Sequence, residues 1–151
     1  MVRKGNGKIL MASSQSQPRA VVICGPTGIG KTCFAIQLAR LFRGEIIGAD
    51  SMQIYRHMDI GTAKPTPAER STVPHHMVDI VEPDEPFDAE TYATLSFSIV
   101  MALQARQVVP LVVGGTGLYI KALIHGLFDT RPGDEGIRMR LKQRAEKEGA
   151  E

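Results

Sequence analysis

Between residues 20 and 125, four short apolar runs alternate with longer stretches that are typical of helices. The runs are rich in β-branched residues and apolar at consecutive positions, which is the pattern of parallel strands buried on both faces. They lie at 20–24, 45–50, 76–81 and 110–115, and helices are predicted at 31–42, 88–106 and 116–125. Asp88, with Thr91 three residues later, is predicted to cap the second helix. The alternation predicts an α/β fold, a parallel sheet flanked by helices, with ligands bound at the carboxyl ends of the strands.

Composition divides the chain into three segments. Residues 1–19 mix Gly, Ser, Gln and basic residues with hardly any apolar periodicity, so a disordered leader is expected there. Residues 20–130 carry the strand and helix pattern and are predicted to form one core, which fits the roughly 100–200 residues of an ordinary domain. Residues 131–151 are charged and helix-forming after Pro132 and Gly133, and we expect them to begin a helical insert that the chain leaves incomplete.

Charge limits the classes of partner that the chain can have. It contains 18 Lys and Arg and 16 Asp and Glu, and four of the basic residues precede residue 20, where there is no acid. The remainder therefore carries 14 basic and 16 acidic residues, a net charge of −2. Because general nucleic-acid binders usually have a domain-wide basic stripe, this balance gives no sign of one and leaves room for a local patch that faces RNA or a substrate.

Membrane, disulfide and zinc classes are also disfavoured. No apolar run approaches the ~18–20 residues needed to span a bilayer, so no membrane partner is expected. Cys24 and Cys33 are too few for a disulfide framework, which favours a reduced, cytoplasmic setting. His75 and His76 are interpreted as loop or strand-start residues, because adjacent strand residues point to opposite faces and nothing nearby completes a zinc site.

The strongest local signal is a phosphate-binding motif, G-x-x-x-x-G-K-[ST], placed directly after the first strand and before the first helix. Its glycines let backbone amides curl around a phosphate chain, and the helix N-terminus adds partial positive charge. Lys31 brings a cation to the terminal phosphate, and Thr32 offers its hydroxyl to Mg²⁺. The predicted diphosphate-binding residues are Gly25, Thr27, Gly28, Ile29, Gly30, Lys31 and Thr32. The fold class is therefore P-loop NTPase-like, but ATP, GTP and organic diphosphates all fit such a loop, and a turn without a ligand is the alternative.

Two further positions at strand ends are candidates for chemistry. Asp50 follows the second apolar run, where a carboxylate could ligate Mg²⁺, accept a proton or bind a substrate hydroxyl. The alternative for Asp50 is a structural turn cap. Thr116 lies in a second glycine-rich turn, GGTG, which either directs a polar group into the same cleft or is simply a tight turn.

Four separated motifs together resemble the tRNA dimethylallyltransferases, also called tRNA isopentenyltransferases. They are GPTGIGKT, ADSMQIYRHMDIGTAKPT, VPHHMVDIVEPDEPFDAETY and PLVVGGTGLYIKAL, in this order. The resemblance covers about residues 20–145, the N-terminal half of such a protein. It implies a transferase that moves a dimethylallyl group from dimethylallyl diphosphate to the exocyclic amine of the adenosine 3′ of the anticodon in tRNA.

The resemblance also implies roles for individual residues. The segment from Thr27 to Thr32 holds the diphosphate, and Thr32 holds the cofactor Mg²⁺. Asp50 is the general base, and Thr116 contacts the reacting site, so both are expected to be catalytic. The residues expected to contact tRNA are Asp50, Ser51, Met52, Gln53, Thr116 and Arg138. Residues 131–151 would then begin a helical tRNA-binding insert, and the protein is expected to be a cytoplasmic monomer that binds the tRNA anticodon stem-loop.

Two departures from the family leave alternatives open. Gly28 and Ile29 stand where members commonly have Ala-Ser, which is compatible with phosphate binding by backbone amides. Members run to about twice this length, so an inactive fragment that still binds the diphosphate is one alternative. The alternatives are a small-molecule kinase that uses ATP, with Asp50 on the acceptor hydroxyl and a lid from 131–144, and a non-enzymatic truncated paralogue. The paralogue is expected to aggregate because the strand at 110–115 would be an unpaired edge.

Overall fold

The computed structural model describes residues 19–127 and 135–149. Its strands are β1 (Val21–Cys24), β2 (Gly44–Ala49), β3 (His75–His76) and β4 (Val109–Gly114). Its helices are α1 (Lys31–Phe42), α2 (Pro67–Thr72), α3 (Ala89–Ala105), α4 (Gly117–His125) and α5 (Glu135–Glu148). The strands are parallel in the order β1-β4-β2-β3, so the predicted parallel sheet with flanking helices is confirmed.

Parts of the predicted domain organisation lie outside the described residues. The leader expected at 1–19 is outside them except for Arg19, and so is the boundary expected at 130–131. Within the charged tail, the expected helix is present as α5. No helix in the two described stretches is both long enough and apolar enough to cross a membrane.

Helices cover both faces of the sheet. Successive strand residues point to opposite faces, and Ile46 and Ile47 of β2 accordingly belong to different buried clusters. Ile47 packs with side chains of α3 and α4, whereas Ile46 packs with side chains of α1. Tyr92 of α3 stacks on Tyr119 of α4, with ring centroids 4.4 Å apart. All six residues of β2 are buried, as expected for a strand covered on both sides.

The predicted strand at 76–81 is wrong, because β3 contains only His75 and His76. Positive φ angles of 61° at Met77 and 56° at Asp79 interrupt the extended backbone. The chain then bonds to the segment after β2 instead of to β2 itself. The amides of Ile80 and Val81 both donate to the carbonyl of Ile54, at 2.8 and 3.1 Å.

The expectation that the strand at 110–115 forms an edge is also wrong. This strand, β4, lies between β1 and β2 and pairs with both. Val21 through Cys24 pair with it on one side, and the whole of β2 pairs with it on the other. Among the described strands the sheet edges are β1 and β3, so the aggregation argument built on β4 does not hold.

Local capping signals explain where two helices begin. The predicted cap of α3 is confirmed, since Asp88 Oδ1 accepts a hydrogen bond from the Thr91 amide at 2.8 Å. Helix α2 was not predicted from the apolar pattern, and none of its residues is buried. It begins with a capping box in which Thr66 and Glu69 bond reciprocally, with Pro67 at the first helical position.

A cluster of ionisable side chains lies at the end of the sheet opposite the predicted site. Glu45 of β2 accepts hydrogen bonds from His76 Nε2 and Arg106 Nη2, each at 2.7 Å. Burial would raise the pKa of Glu45, but the hydrogen bonds from His76 and Arg106 outweigh it and lower the pKa below its ordinary value. His75 bonds through Nδ1 to the carbonyl oxygen of Val73 at 2.8 Å. The two histidines form the whole of β3, which agrees with their interpretation as strand residues.

Candidate functional site

The phosphate-binding loop connects β1 to α1 at the carboxyl edge of the sheet. Gly28 and Gly30 have φ angles of 88° and 86°, a left-handed conformation that glycine adopts without strain. A Cβ at either position would meet no heavy atom within 4 Å, so the backbone angle rather than space requires glycine here. Gly30 caps α1, whose N-terminal amides therefore face the site.

A cavity of about 320 Å³ joins this loop to the ends of β2 and β4. Of the predicted residues, Thr27, Gly28, Gly30, Lys31, Thr32, Asp50 and Gln53 line it. The other lining residues are Cys33, Ala63, Glu69, Val113 and Gly114. Gly25, Ile29, Ser51, Met52 and Thr116 are not in the lining. The sheet topology thus places the phosphate-binding loop and the strand-end carboxylate on one cavity.

Lys31 lies folded over its own loop. Its Nζ donates a hydrogen bond to the carbonyl oxygen of Pro26 at 2.7 Å. The ammonium is therefore held beside the amides that would receive a phosphate chain. A flexible cation in this position suits a ligand whose negative charge is concentrated at one end.

Asp50 is a turn cap and also a residue of the cavity wall. Its Oδ1 accepts hydrogen bonds from the amides of Met52 at 2.9 Å and Gln53 at 3.3 Å. Within the described part of the chain, its Oδ2 has no hydrogen-bond partner. The turn-cap interpretation of this residue is therefore confirmed. Its chemical role stays a prediction, for which the cap leaves one carboxylate oxygen without a partner among the described residues.

Thr116 ties the start of α4 to the end of β2. Its Oγ1 accepts a hydrogen bond from the Ser51 amide at 2.9 Å, and its own amide donates to the carbonyl oxygen of Ala49 at 3.0 Å. Both backbone groups flank Asp50. Thr116 is thus brought to the candidate site through the backbone on either side of the carboxylate.

Gln53 uses its side chain to hold the segment that follows it. Its Nε2 donates to the carbonyl oxygens of Thr62 and Ala63, at 3.1 and 2.9 Å. Both amide protons are consumed, so only Oε1 is left as an acceptor for a ligand. Met52, by contrast, is 44% exposed.

Glu69 lines the cavity, although its place in the sequence did not predict this. Hydrogen bonds from the backbone amide and hydroxyl of Thr66 lower the pKa of Glu69, so a second anionic carboxylate faces the phosphate-binding loop. The local signal was present as the Thr66-Pro67-Ala68-Glu69 capping box. A capping signal predicts a helix start but does not say what the helix lies against.

The cavity has donors suited to Mg²⁺. The Thr32 hydroxyl and the carboxylates of Asp50 and Glu69 line one space, and hard oxygen ligands of this kind, few in number, are what Mg²⁺ takes from a protein alongside water and phosphate. In residues 19–127 and 135–149 no group of three or more His, Cys, Asp or Glu could hold a metal. Arg138 belongs to α5, but its side chain lies outside the described part of the structure, so its expected place near tRNA has no geometry to report.

Comparison with known proteins gives consistent matches. The sequence model of the family described as IPP transferase matches residues 53–151. A tRNA dimethylallyltransferase of Desulfosudis oleivorans is 55% identical over 135 residues, covering 89% of this chain and 43% of that protein. One from Syntrophobacter fumaroxidans is 59% identical over 121 residues, covering 80% of this chain and 35% of that protein.

Solved structures agree with the sequence matches. The tRNA isopentenylpyrophosphate transferase of Bacillus halodurans superposes with a TM-score of 0.73 at 41% identity, over 88% of this chain and 44% of that protein. A eukaryotic dimethylallyltransferase described as acting on tRNA superposes with a TM-score of 0.70 at 33% identity, over 87% of this chain and 32% of that protein. The chain spans less than half the length of these relatives.

Proposed function

This chain belongs to the IPP transferase family, and we propose that it takes part in transfer of a dimethylallyl group from dimethylallyl diphosphate to the exocyclic amine of the adenosine 3′ of the anticodon in tRNA. One observation carries the proposal: the phosphate-binding loop and the Asp50 carboxylate line the same cavity. The relatives named as tRNA dimethylallyltransferases support the substrates.

The phosphate-binding loop would bind the diphosphate. Amides between Thr27 and Thr32 and the N-terminus of α1 supply donors, and Lys31 supplies a full positive charge. As the carbon–oxygen bond to the dimethylallyl group breaks, negative charge grows on the diphosphate, and these fixed donors stabilise it. Mg²⁺ would be held through Thr32, with Asp50 and Glu69 nearby, and would neutralise part of the same charge.

Asp50 would remove the proton. An adenine amine is a weak nucleophile, so a positioned carboxylate helps as the carbon–nitrogen bond forms. The amine proton goes to Asp50, and the bonding electrons of the cleaved carbon–oxygen bond leave with the diphosphate. Since Oδ1 is engaged with two amides, Oδ2 is the atom suited to accept the proton.

The segment after Asp50 would receive the adenosine. Extruding a base from its stack costs on the order of a few kcal/mol, which contacts in a pocket must offset. Ser51, Met52 and Gln53 are the neighbouring residues, and Gln53 would contribute its Oε1 as an acceptor. Thr116 would act beside them through its contact with Ser51, and Arg138 would act near the RNA.

The first experiment that tests the proposed function measures ligand binding. We would measure the affinity of the purified chain for dimethylallyl diphosphate and for ATP, each with Mg²⁺. The diphosphate is expected to bind more tightly than ATP, and Lys31→Ala is expected to lower its affinity by about tenfold or more because a charged hydrogen-bond donor is lost. Arg40→Ala, an exposed change on α1, is the matched control. Tighter binding of ATP, with phosphate transfer, would favour the kinase instead.

Transfer is the second measurement. An anticodon stem-loop RNA would be incubated with the protein, dimethylallyl diphosphate and Mg²⁺, and its nucleosides analysed by mass spectrometry. A five-carbon gain on the adenosine 3′ of the anticodon is the expected product. Asp50→Asn should lower the rate by about 10²–10⁴-fold with diphosphate affinity unchanged, because general-base catalysis is lost while the turn cap is kept. Binding of neither ligand to folded protein would support the non-enzymatic alternative.

Location and assembly are further parts of the proposal. A tRNA substrate and the two free cysteines, Cys24 and Cys33, suit a reduced cytoplasmic setting. We expect a monomer, which sedimentation of the purified chain would check.

A further inference from the structure

Residues 51–64, here called the 51–64 loop, connect Asp50 to the segment before α2. The loop contains no helix or strand, and its one bridge pairs Tyr55 with Val81. It begins with Ser51, Met52 and Gln53, which are proposed to contact adenosine. With so little regular backbone pairing, its conformation depends on individual side-chain bonds.

Lys64 provides three of these bonds. Its side chain is only 4% exposed. Nζ donates to the carbonyl oxygen of Tyr55 at 2.7 Å, to Asp79 Oδ1 at 2.7 Å and to Asp59 Oδ1 at 3.0 Å. An ammonium has three donors, and all three are used here within the fold.

Asp79 connects the Lys64 ammonium to helix α2 and to the start of the 51–64 loop. Its Oδ2 accepts a hydrogen bond from Arg70 of α2 at 2.5 Å, and its amide donates to the carbonyl oxygen of Gln53 at 3.1 Å. Burial would raise the pKa of Asp79, but hydrogen bonds from Lys64 and Arg70 outweigh it and lower the pKa. Burial would likewise lower the pKa of Lys64, and its two carboxylate partners raise it. Both groups are charged at neutral pH.

The two ends of the loop therefore meet at one ion pair. Lys64 ends the loop and bonds to Tyr55 in its middle, while Asp79 bonds to Gln53 near its start. Exposed ion pairs contribute little, and the Asp59 partner is 74% exposed, so water can replace the ammonium there. The Tyr55 carbonyl and Asp79 Oδ1 lie in the partly buried part of the cluster, and they lose a hydrogen bond when the ammonium is removed. Removing the Lys64 ammonium should make the 51–64 loop more mobile without an equal loss of stability in the sheet, since none of these residues belongs to a strand.

We propose that Lys64 is a positioning residue for the adenosine site, which, through Asp79 and the Tyr55 carbonyl, holds residues 51–53 beside Asp50. The inference rests on the proposed function, because it assigns Lys64 to the RNA-binding half of that reaction. A displacement of about 1 Å in positioned groups can lower a rate by about 100-fold. Diphosphate binding, which uses the other side of the cavity, should not depend on Lys64.

The test compares Lys64→Met, which keeps the length of the side chain and removes the ammonium, with Arg106→Gln. Arg106→Gln removes a cation from the Glu45 cluster at the opposite end of the sheet, so it controls for a general loss of stability. If Lys64→Met does not fold, Lys64→Gln replaces it. Hydrogen exchange of peptides covering 51–64, dimethylallyl diphosphate affinity, and KM and kcat for the stem-loop RNA are measured for each.

For Lys64→Met we expect exchange in the 51–64 loop to accelerate by about tenfold or more. We also expect kcat/KM for the RNA to fall by about 10–100-fold, with diphosphate affinity unchanged. Arg106→Gln should change neither the loop exchange nor the RNA kinetics. Unchanged loop exchange in Lys64→Met would overturn the proposal, as would an equal loss of diphosphate and RNA affinity.

The two proposals fail in different ways. If the unsubstituted protein binds no dimethylallyl diphosphate and transfers nothing to RNA, the proposed function fails, and the adenosine role of Lys64 fails with it. If the unsubstituted protein is active and Lys64→Met keeps its RNA kinetics, only the role of Lys64 is overturned.

Discussion

Gly114 has no room for a side chain. A Cβ added to this last residue of β4 would lie 2.0 Å from the carbonyl oxygen of Ala49, the residue before Asp50. The clash is with backbone, so no rotamer relieves it. We expect Gly114→Ala to lower the free energy of unfolding by about 1–3 kcal/mol, the usual range for overpacking. It should also lower the transfer rate, since Asp50 must move.

Gly117 gives a matched control for this prediction. It is the first residue of α4, and a Cβ there would meet no heavy atom within 4 Å. Gly117→Ala should raise the free energy of unfolding by up to about 1 kcal/mol, because it reduces the freedom of the unfolded chain. Urea unfolding of the two variants measures the difference. Equal stabilities would contradict the close approach of β4 to β2.

Asp50 shows which contacts of a single residue the sequence predicts and which it does not. Its position after an apolar run predicted a carboxylate at a strand end, and that is where it lies. Its use of Oδ1 as a turn cap is local, since the amide of Met52 lies two residues away, and the cap was an alternative that the sequence offered. The bond between Thr116 and the Ser51 amide, by contrast, spans 65 residues of chain. No local pattern specifies which oxygen of a carboxylate is occupied.

Helix α2 depends on its cap because it buries none of its own residues. Thr66→Ala removes the hydroxyl that accepts from the Glu69 amide and donates to the Glu69 carboxylate. We expect a loss of about 0.5–2 kcal/mol, the usual cost of deleting a cap. Hydrogen exchange of residues 67–72 should accelerate, because isolated short helices are marginal in water.

Ser98→Ala is the control for the cap. Among the described residues its hydroxyl bonds to the Thr94 carbonyl at 3.0 Å, within α3, so its removal should change the free energy of unfolding by less than about 0.5 kcal/mol. If Thr66→Ala is no more destabilising than Ser98→Ala, the capping box does not hold α2 in place.

For the third strand, the type of element was predicted correctly, but its length was not. The apolar run at 76–81 has the composition of a strand, but only two residues pair with β2. Left-handed angles at Met77 and Asp79 turn the chain toward Ile54. The length of β3 is set by backbone bonds to the loop around Ile54, and composition carries no information about a pairing segment that is distant in sequence.

Stability of the whole molecule should fall on acidification in two steps. Burial lowers the pKa of His75 below its ordinary 6.5, so the unfolded chain takes up this proton more readily and stability falls as pH drops below that value. Glu45, Glu69, Asp79 and Asp88 all have lowered pKa values, so their stabilisation is present above the unfolded values and lost as pH falls through the folded ones. The second step therefore begins near 4.5, the ordinary value for Glu.

At alkaline pH, the free energy of unfolding is expected to fall as pH rises. The pKa of Lys64 is raised above its ordinary 10.5, so its stabilisation is present below that value and lost as pH rises through the folded pKa. Burial also raises the pKa of Tyr92 from its ordinary 10.0 to about 12, so its contribution begins to be lost above pH 10. Urea unfolding at stepped pH should therefore give a plateau between about 6.5 and 10. Glu45→Gln should flatten the acid step, and Asp84→Asn, an exposed control, should not. A stability that rises on acidification would contradict this account.

The sequence by itself determined the phosphate-binding loop, the strand-end carboxylate and the alternation that makes a parallel sheet. These are local properties, since glycine spacing, burial of consecutive apolar residues and Asp88 capping act within a few residues of chain. Only the tertiary structure decided the central place of β4, the shortness of β3, the entry of Glu69 into the cavity and the pairing of Lys64 with Asp79. Each of these joins segments that are distant in sequence, and their energies depend on burial and geometry that exist only once the chain has folded.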